Sequence, residues 1–319
     1  MKDFDALLVV SFGGPEGMDD VMPFLENVLR GRNVPRERML SVAKHYELFG
    51  GVSPINQQNR NLIAALEKEL EQHGPRLPIY WGNRNWHPLL PDTLRRMADD
   101  GVKNALAFVT SAYSSYSSCR QYLQNISDAQ AAVGPGAPQA EKLRVFYKHP
   151  LFIEANVDHI RAALDQIGEP AHLVCTAHSI PESMAANCDY ASQLGHTGAL
   201  IARELPIEKW HLVYQSRSGS PMQPWLGPDV CEHLRMLRDE GVTSVVLAPI
   251  GFVSDHMEVV YDLDVEARRV ADEIGMKMVR AATAGTHPAF VRMIRELIVE
   301  RVNGEVPMNI CAPDCCRIS

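Results

Sequence analysis

The feature that most constrains the fold of this 319-residue chain is a regular exchange between short apolar runs and helix-length amphipathic segments. Residues 7–12, 79–81, 105–109, 143–146, 173–177, 210–214, 244–250 and 277–279 read as short apolar strands. Helical patterns at 19–29, 54–72, 91–99, 119–132, 150–167, 179–188, 190–203, 228–240, 257–274 and 287–302 separate them. Strands that alternate with helices build parallel sheets covered on both faces. The rhythm restarts near Pro150, so the expected fold is α/β with two doubly wound lobes. The first lobe is expected over 1–149, joined by the last helix and the tail at 286–319, and the second over 150–285. Ligands of such sheets bind outside the carboxyl ends of the strands, which places the expected site in the crevice between the lobes.

Composition narrows the function classes. With 46% hydrophobic and 22% charged residues the chain has the balance of a soluble enzyme. Its net charge of -8, with 31 basic residues spread along the whole length, offers no basic stripe for nucleic acid. The N-terminus runs from Met1-Lys2-Asp3-Phe4-Asp5 straight into an apolar strand, without the basic, apolar and small-residue regions of a signal peptide. No apolar run approaches the roughly 20 residues of a membrane span. A cytoplasmic protein without a transmembrane segment is expected.

The segment from Ser254 to Glu266 packs His256 and five carboxylates into one expected helix. Glu258, Asp262 and Glu266 recur at i, i+4 and i+8, and like charges so spaced repel by a few tenths of a kcal/mol per pair, roughly, unless cations intervene. A path for metal ions would supply those cations. The plainer alternative is a solvated helix face with Ser254 or Asp255 as N-cap. His178 sits where the strand at 173–177 gives way to a helix start, an active-site position in this architecture, although a lone strand-end histidine is commonly structural. His178 with a carboxylate from the acidic helix of the same lobe supplies a nitrogen and an oxygen ligand for a divalent first-row ion, and a base. Other chemistries fail on their motifs. Gly13-Gly14 follows a strand, yet Gly-x-Gly-x-x-Gly is incomplete; there is no P-loop and no Gly-x-Ser-x-Gly elbow.

The seven cysteines are unevenly placed: Cys311, Cys315 and Cys316 crowd the last nine residues. In a cytosolic enzyme such clustering points to metal or an iron–sulfur group rather than disulfides. Three thiols leave a four-thiolate site one short, and Cys119, in a serine-rich segment, is the expected fourth. The alternative is a disordered end with incidental thiols.

Six separated segments together resemble the ferrochelatases: Ser11-Phe12-Gly13-Gly14-Pro15, Phe49-Gly50-Gly51-Val52-Ser53-Pro54, Gly82-Asn83-Arg84-Asn85-Trp86-His87-Pro88, Ala177-His178-Ser179-Ile180-Pro181, Tyr214-Gln215-Ser216-Arg217 and the run from Pro249 to Glu258. The resemblance runs in order from about residue 7 to 285. It implies two flavodoxin-like lobes, a porphyrin cleft and insertion of Fe²⁺ into the macrocycle, a lyase reaction of haem biosynthesis. The family's invariant histidine falls on His178 and its catalytic glutamate on Glu258, with Asp262 and Glu266 along an ion or proton path. His178 is expected to be neutral near pH 7 on an ordinary pKa. Ser53 and Tyr122 fall at the porphyrin propionates. Arg30 is a further candidate there, because a guanidinium pairs carboxylates bidentately.

Phe12 departs from bacterial relatives that carry tyrosine at this position; it packs against the ring and cannot ligate iron. The chain resembles the compact bacterial forms that act on coproporphyrin III, which has four propionates, and several of these end in a cysteine cluster. A [2Fe–2S] cluster on Cys119, Cys311, Cys315 and Cys316 is the corresponding expectation, as are a monomer and transient contacts with neighbouring haem-pathway enzymes. Protoporphyrin IX is the alternative substrate. A sirohydrochlorin chelatase of the same fold and a non-catalytic porphyrin or haem carrier are the rival readings.

Overall fold

The computed structural model describes residues 3–31, 34–207, 209–219, 222–305 and 316. In chain order the first half contains β1 (Ala6–Ser11), α1 (Met18–Val28), α2 (Arg36–Glu47), α3 (Ile55–His73), β2 (Ile79–Asn83), α4 (Leu90–Asp99) and β3 (Asn104–Val109). A π-helical turn (Tyr116–Arg120), α5 (Gln121–Val133) and β4 (Gln139–Lys142) follow. The second half contains α6 (Pro150–Ile167), β5 (His172–His178), α7 (Glu182–Ala185), α8 (Tyr190–Arg203), β6 (Trp210–Gln215), α9 (Val230–Asp239) and β7 (Ser244–Ala248). It closes with α10 (Met257–Tyr261), a second π-helical stretch (Asp262–Ala267), α11 (Arg268–Glu273), β8 (Lys277–Arg280) and α12 (Pro288–Val302).

The chain divides into two compact units, one holding β1–β4 and the other β5–β8. Each carries a four-stranded sheet whose strands pair in parallel, in the orders β2-β1-β3-β4 and β6-β5-β7-β8. The two orders are equivalent: in both, the first strand of the unit lies between its second and third. This is the flavodoxin-like order, in which the switch point falls between the first and third strands. In the second unit that point lies between the carboxyl ends of β5 and β7.

The sheets form because their central strands are apolar on both faces. All six residues of β1 and all five of β7 are buried. On one face of the first sheet, Leu90, Leu94 and Met97 of α4 and Tyr122 and Ile126 of α5 pack against Leu8 and Val10. On one face of the second, Leu234 and Leu237 of α9 and Val259, Leu263 and Ala267 pack against Val174, Val213 and Leu247. Cutting the fully buried Leu234 to alanine would cost about 2–5 kcal/mol through lost transfer energy and the cavity left behind. α12 is shared: residues through Met293 group with the second unit and residues from Ile294 with the first.

Three expected elements are corrected and one helix is added. The fourth strand lies at Gln139–Lys142 instead of 143–146. β4 is an edge strand paired on one side only, so polar residues suffice for it. The apolar Leu143, Val145 and Phe146 that mimic a strand are buried in the following irregular segment. α2, whose polar sequence carries little periodicity, has no counterpart among the expected helices. The helix expected over 179–188 shrinks to Glu182–Ala185. The helix expected over 257–274 is interrupted by the π-helical stretch at Asp262–Ala267.

Candidate functional site

The site grows from the switch point of the second sheet. His178 is the last residue of β5 and Glu258 lies in the first turn of α10, directly after the loop that follows β7. Gly251 in that loop lets the two strand ends approach: a Cβ there would stand 2.6 Å from the Cα of Ala177. His178 Nε2 then lies 3.5 Å from Glu258 Oε1, with the two side chains 29% and 49% exposed. The other ring nitrogen, Nδ1, contacts the Ser179 carbonyl, and the Tyr190 hydroxyl donates to the His178 carbonyl at 3.0 Å. Glu258 is held at its backbone: Gln215 Nε2 donates to its carbonyl at 2.7 Å, and its N–H donates to His256 Nδ1 at 3.2 Å. His256, rather than Ser254 or Asp255, is therefore the residue whose side chain caps α10.

The five carboxylates of the acidic stretch separate into two groups. Asp255 and Asp264 converge on Arg280, at 3.2 and 2.6 Å. They are structural anchors between this helix and β8. Glu258 and Asp262 face the other way. Asp262 accepts from the hydroxyl of Ser216, a residue in the left-handed region at φ 61 just past the end of β6. Glu266 follows, near Tyr261, Arg269 and Asp229. The π-helical stretch begins at Asp262, and such irregular turns cluster at functional sites because they re-aim side chains.

Electrostatics sets the protonation states. Burial disfavours the His178 imidazolium, but the Glu258 carboxylate overrides it, helped by the Ser179 carbonyl, and raises the His178 pKa to about 9. Burial works against the Glu258 charge as well, and His178 outweighs it and holds the carboxyl low. The pair is an ion pair at neutral pH, so the expected neutral His178 is corrected: its partner, not its burial, decides the charge. Asp262 feels the His178 charge only weakly. Burial, reinforced by the charges of Glu258 and Glu266 and opposed by the Ser216 hydroxyl, raises its pKa to about 7.

In the first unit the expected substrate residues gather at the carboxyl ends of β1 and β2. Phe12 follows β1, and Arg84 follows β2 and stacks over both the Phe12 ring, at 5.5 Å, and the Tyr122 ring, at 4.6 Å. Arg84 carried no assigned role; its place in the Gly82–Pro88 motif was the signal that marked it. Tyr122 is buried in the core of the sheet with its hydroxyl beside Arg84. Ser53 is buried against Gly14, where a Cβ would come within 2.7 Å of the Ser53 Cβ. Arg30 is exposed and lines a cavity of about 520 Å³ with Glu26, Asn27, Trp86 and His87. Trp86 connects that cavity to Phe12 through Phe24, with ring centroids 6.2 and 6.3 Å apart.

Cys119 sits in the π-helical turn Tyr116–Arg120 and is buried, as is Cys316. Cys311 and Cys315 lie outside the described residues. Among the described residues no three His, Cys, Asp or Glu side chains form a ready-made metal cage, and no helix is long and apolar enough to cross a membrane.

Comparison with known proteins shows what the chain is similar to. A family model described as Ferrochelatase matches residues 4–302. A protein named ferrochelatase from Rhodopirellula baltica is 56% identical, the match covering 99% of this chain and 94% of that protein. A coproporphyrin III ferrochelatase from Nocardia farcinica is 49% identical over 98% of this chain and 96% of its own length. Among solved structures, the sirohydrochlorin chelatase SirB from Bacillus subtilis subspecies spizizenii, in complex with cobalt, superposes with a TM-score of 0.56 at 12% identity, over 95% of this chain and 97% of that one. That last likeness is one of fold.

Proposed function

We propose, since this chain belongs to the ferrochelatase family, that it is a metal chelatase, a lyase of haem biosynthesis, which inserts Fe²⁺ into coproporphyrin III. The name of the ring rests on relatives such as the Nocardia farcinica protein. The observation that carries the chemistry is the His178–Glu258 pair at 3.5 Å, at the switch point of the second sheet.

Metallation replaces two pyrrole N–H protons by one Fe²⁺, so the site must bind a hydrated dication and accept two protons. Glu258, ionised and about half exposed, is the group that meets the incoming ion. Once Fe²⁺ occupies that carboxylate, His178 loses the partner that keeps it protonated. Its pKa then falls, since burial already disfavours the imidazolium, and it can release its own proton and take one from a pyrrole. Asp262, titrating near neutrality beside Ser216, is suited to receive protons, with Glu266 continuing the row toward solvent. Arg30 and Ser53, with the Tyr122 hydroxyl held by Arg84, supply donors for propionates, and Phe12 offers an apolar face to the ring. Glu258→Gln tests the assignment. Insertion of Fe²⁺ should fall by roughly 10²–10⁴-fold, the usual range for a lost general acid–base group, while porphyrin binding is retained. Wild-type insertion by that variant would refute it, and a protein that binds and releases the ring alike with and without the substitution, inserting no Fe²⁺ in either form, would be a carrier.

The same reading includes a [2Fe–2S] cluster on Cys119, Cys311, Cys315 and Cys316. The support is the crowding of thiols in the tail and the burial of Cys119 and Cys316, as cluster ligands require. Four thiolates would hold two irons and give a one-electron centre; no step of metallation passes through it. Cys316→Ser should abolish the visible absorption of the purified protein. The reading further takes the enzyme to be a cytoplasmic monomer that meets its neighbouring haem-pathway enzymes transiently.

A further inference from the structure

The end of the second sheet opposite His178 carries three imidazoles. His172 opens β5, His211 is the second residue of β6, and His233 projects from α9. His172 Nδ1 and His211 Nε2 stand 3.1 Å apart, in rings inclined by only 19°. The His233 ring lies 4.7 Å from that of His211, centroid to centroid. His233 is only 9% exposed, and both its ring nitrogens are buried without a hydrogen-bond partner.

That last fact is what asks for a ligand. A neutral imidazole has one N–H and one lone pair, and leaving a buried polar group unmet costs roughly 1–3 kcal/mol. Such groups in folded proteins generally meet a protein partner, a water or an ion. The neighbouring inward positions of α9 are Val230, Leu234 and Leu237, so an apolar residue at 233 would pack there with no such penalty. The cluster is also kept in the form that metals bind. Burial and the adjacent His233 and His172 lower the His211 pKa to about 4, and burial lowers that of His233. Glu240, the C-cap of α9, turns a carboxylate's field on both, and Lys209 opposes it at His211.

We propose that His172, His211 and His233 form a second metal site, for a zinc-like divalent first-row cation, at the amino-terminal rim of the second sheet. Zn–N bonds of about 2.0–2.1 Å separate adjacent imidazole nitrogens by roughly 3.3 Å around a tetrahedral ion. The 3.1 Å between His172 and His211 is already near that value. Their nitrogens now face each other, and among the described residues no three ligand side chains already converge on one point. Entry of the ion therefore requires ring rotation about χ2, a broad torsion. Rotation exchanges one His–His hydrogen bond for three metal bonds and gives His233 the partner it lacks. Three histidines with an open fourth position for water are a well-suited zinc donor set. His172 and His178 are six residues apart on one strand, or about 20 Å at roughly 3.3 Å per residue, so this ion is separate from the substrate iron.

Calorimetric titration of untagged, chelator-stripped full-length protein with Zn²⁺ tests the site, in a Glu258→Gln background that removes the catalytic carboxylate. His233→Gln and His172→Gln, each added to that background, should each lose one bound Zn²⁺ per chain or weaken it at least tenfold. The same substitutions in otherwise wild-type protein should leave Fe²⁺ insertion unchanged. His172 is partly exposed, so its variant reports even if His233→Gln impairs folding. Zinc stoichiometry and affinity equal to the parent in His172→Gln overturn the proposal, as does a parent that binds no Zn²⁺.

Discussion

An imidazole and a carboxylate 3.5 Å apart do not titrate independently, and the function proposed for this chain depends on that coupling. The His178 pKa is raised, so its contribution to stability is complete below the unfolded value of 6.5 and fades as pH rises through about 9. The Glu258 pKa is depressed, so its contribution is complete above its ordinary 4.5 and fades as pH falls toward about 2. The pair therefore stabilises the fold most fully between about 4.5 and 6.5. Imidazole NMR should show His178 protonated at pH 7.5 in the metal-free wild type and titrating at clearly lower pH in Glu258→Gln. Identical titration of His178 in both proteins would contradict the pairing. His178 and Glu258 could be singled out from the residues, His178 at the end of an apolar strand and Glu258 in a helix with a surplus of carboxylates, and the structure brings the two within 3.5 Å. The charge on His178 was not legible, because it depends on a distance across the chain that no local pattern encodes. Arg84 was hidden for the same reason: its contact with Phe12 and Tyr122 joins three segments distant in sequence.

At the scale of elements, the site depends on how closely the end of β5 meets the loop after β7. Gly251→Ala would drive a methyl into the backbone at Ala177, and relief must come from moving the strand that ends in His178. We expect a loss of about 1–3 kcal/mol, as for other overpacked positions. Fe²⁺ insertion should fall further than the folded fraction does, which activity measured per folded molecule would reveal. Arg280 holds the acidic helix from its other side through Asp255 and Asp264, with the guanidinium only 15% exposed. Arg280→Met leaves two like charges beside each other without their cation and should lower unfolding free energy by roughly 3–5 kcal/mol, read by urea denaturation. The helices at 150–167 and 190–203 were legible to the residue: Pro150 and Gly168 bracket the first, and a sustained apolar face marks both. The π-helical stretch at Asp262–Ala267 was not, because its hydrogen-bond shift leaves the apolar spacing nearly intact. The edge strand β4 was missed because pairing on one side allows the polar Gln139, Glu141 and Lys142.

For the whole molecule, the alternation of strands and helices was enough to reveal two α/β lobes, and the equivalent strand orders of the two sheets put the candidate residues of each near strand carboxyl ends. The residues proposed to meet the propionates lie in the first unit, and His178 and Glu258, with Cys119 and Cys316, lie in the second. The four-propionate ring makes the larger demand on basic and hydroxyl donors, and Arg30, Arg84, Ser53 and Tyr122 are the groups proposed to answer it. The net charge of -8 also opposes binding of nucleic acid; added duplex DNA should leave metallation unchanged in low salt, and inhibition there would contradict that exclusion. The central claim is tested most directly by anaerobic metallation with Fe²⁺, following porphyrin fluorescence with coproporphyrin III and protoporphyrin IX in parallel and His178→Ala as control. The account predicts rapid quenching with coproporphyrin III, slower quenching with protoporphyrin IX, and neither in the control. No excess of wild type over His178→Ala with either ring would contradict it.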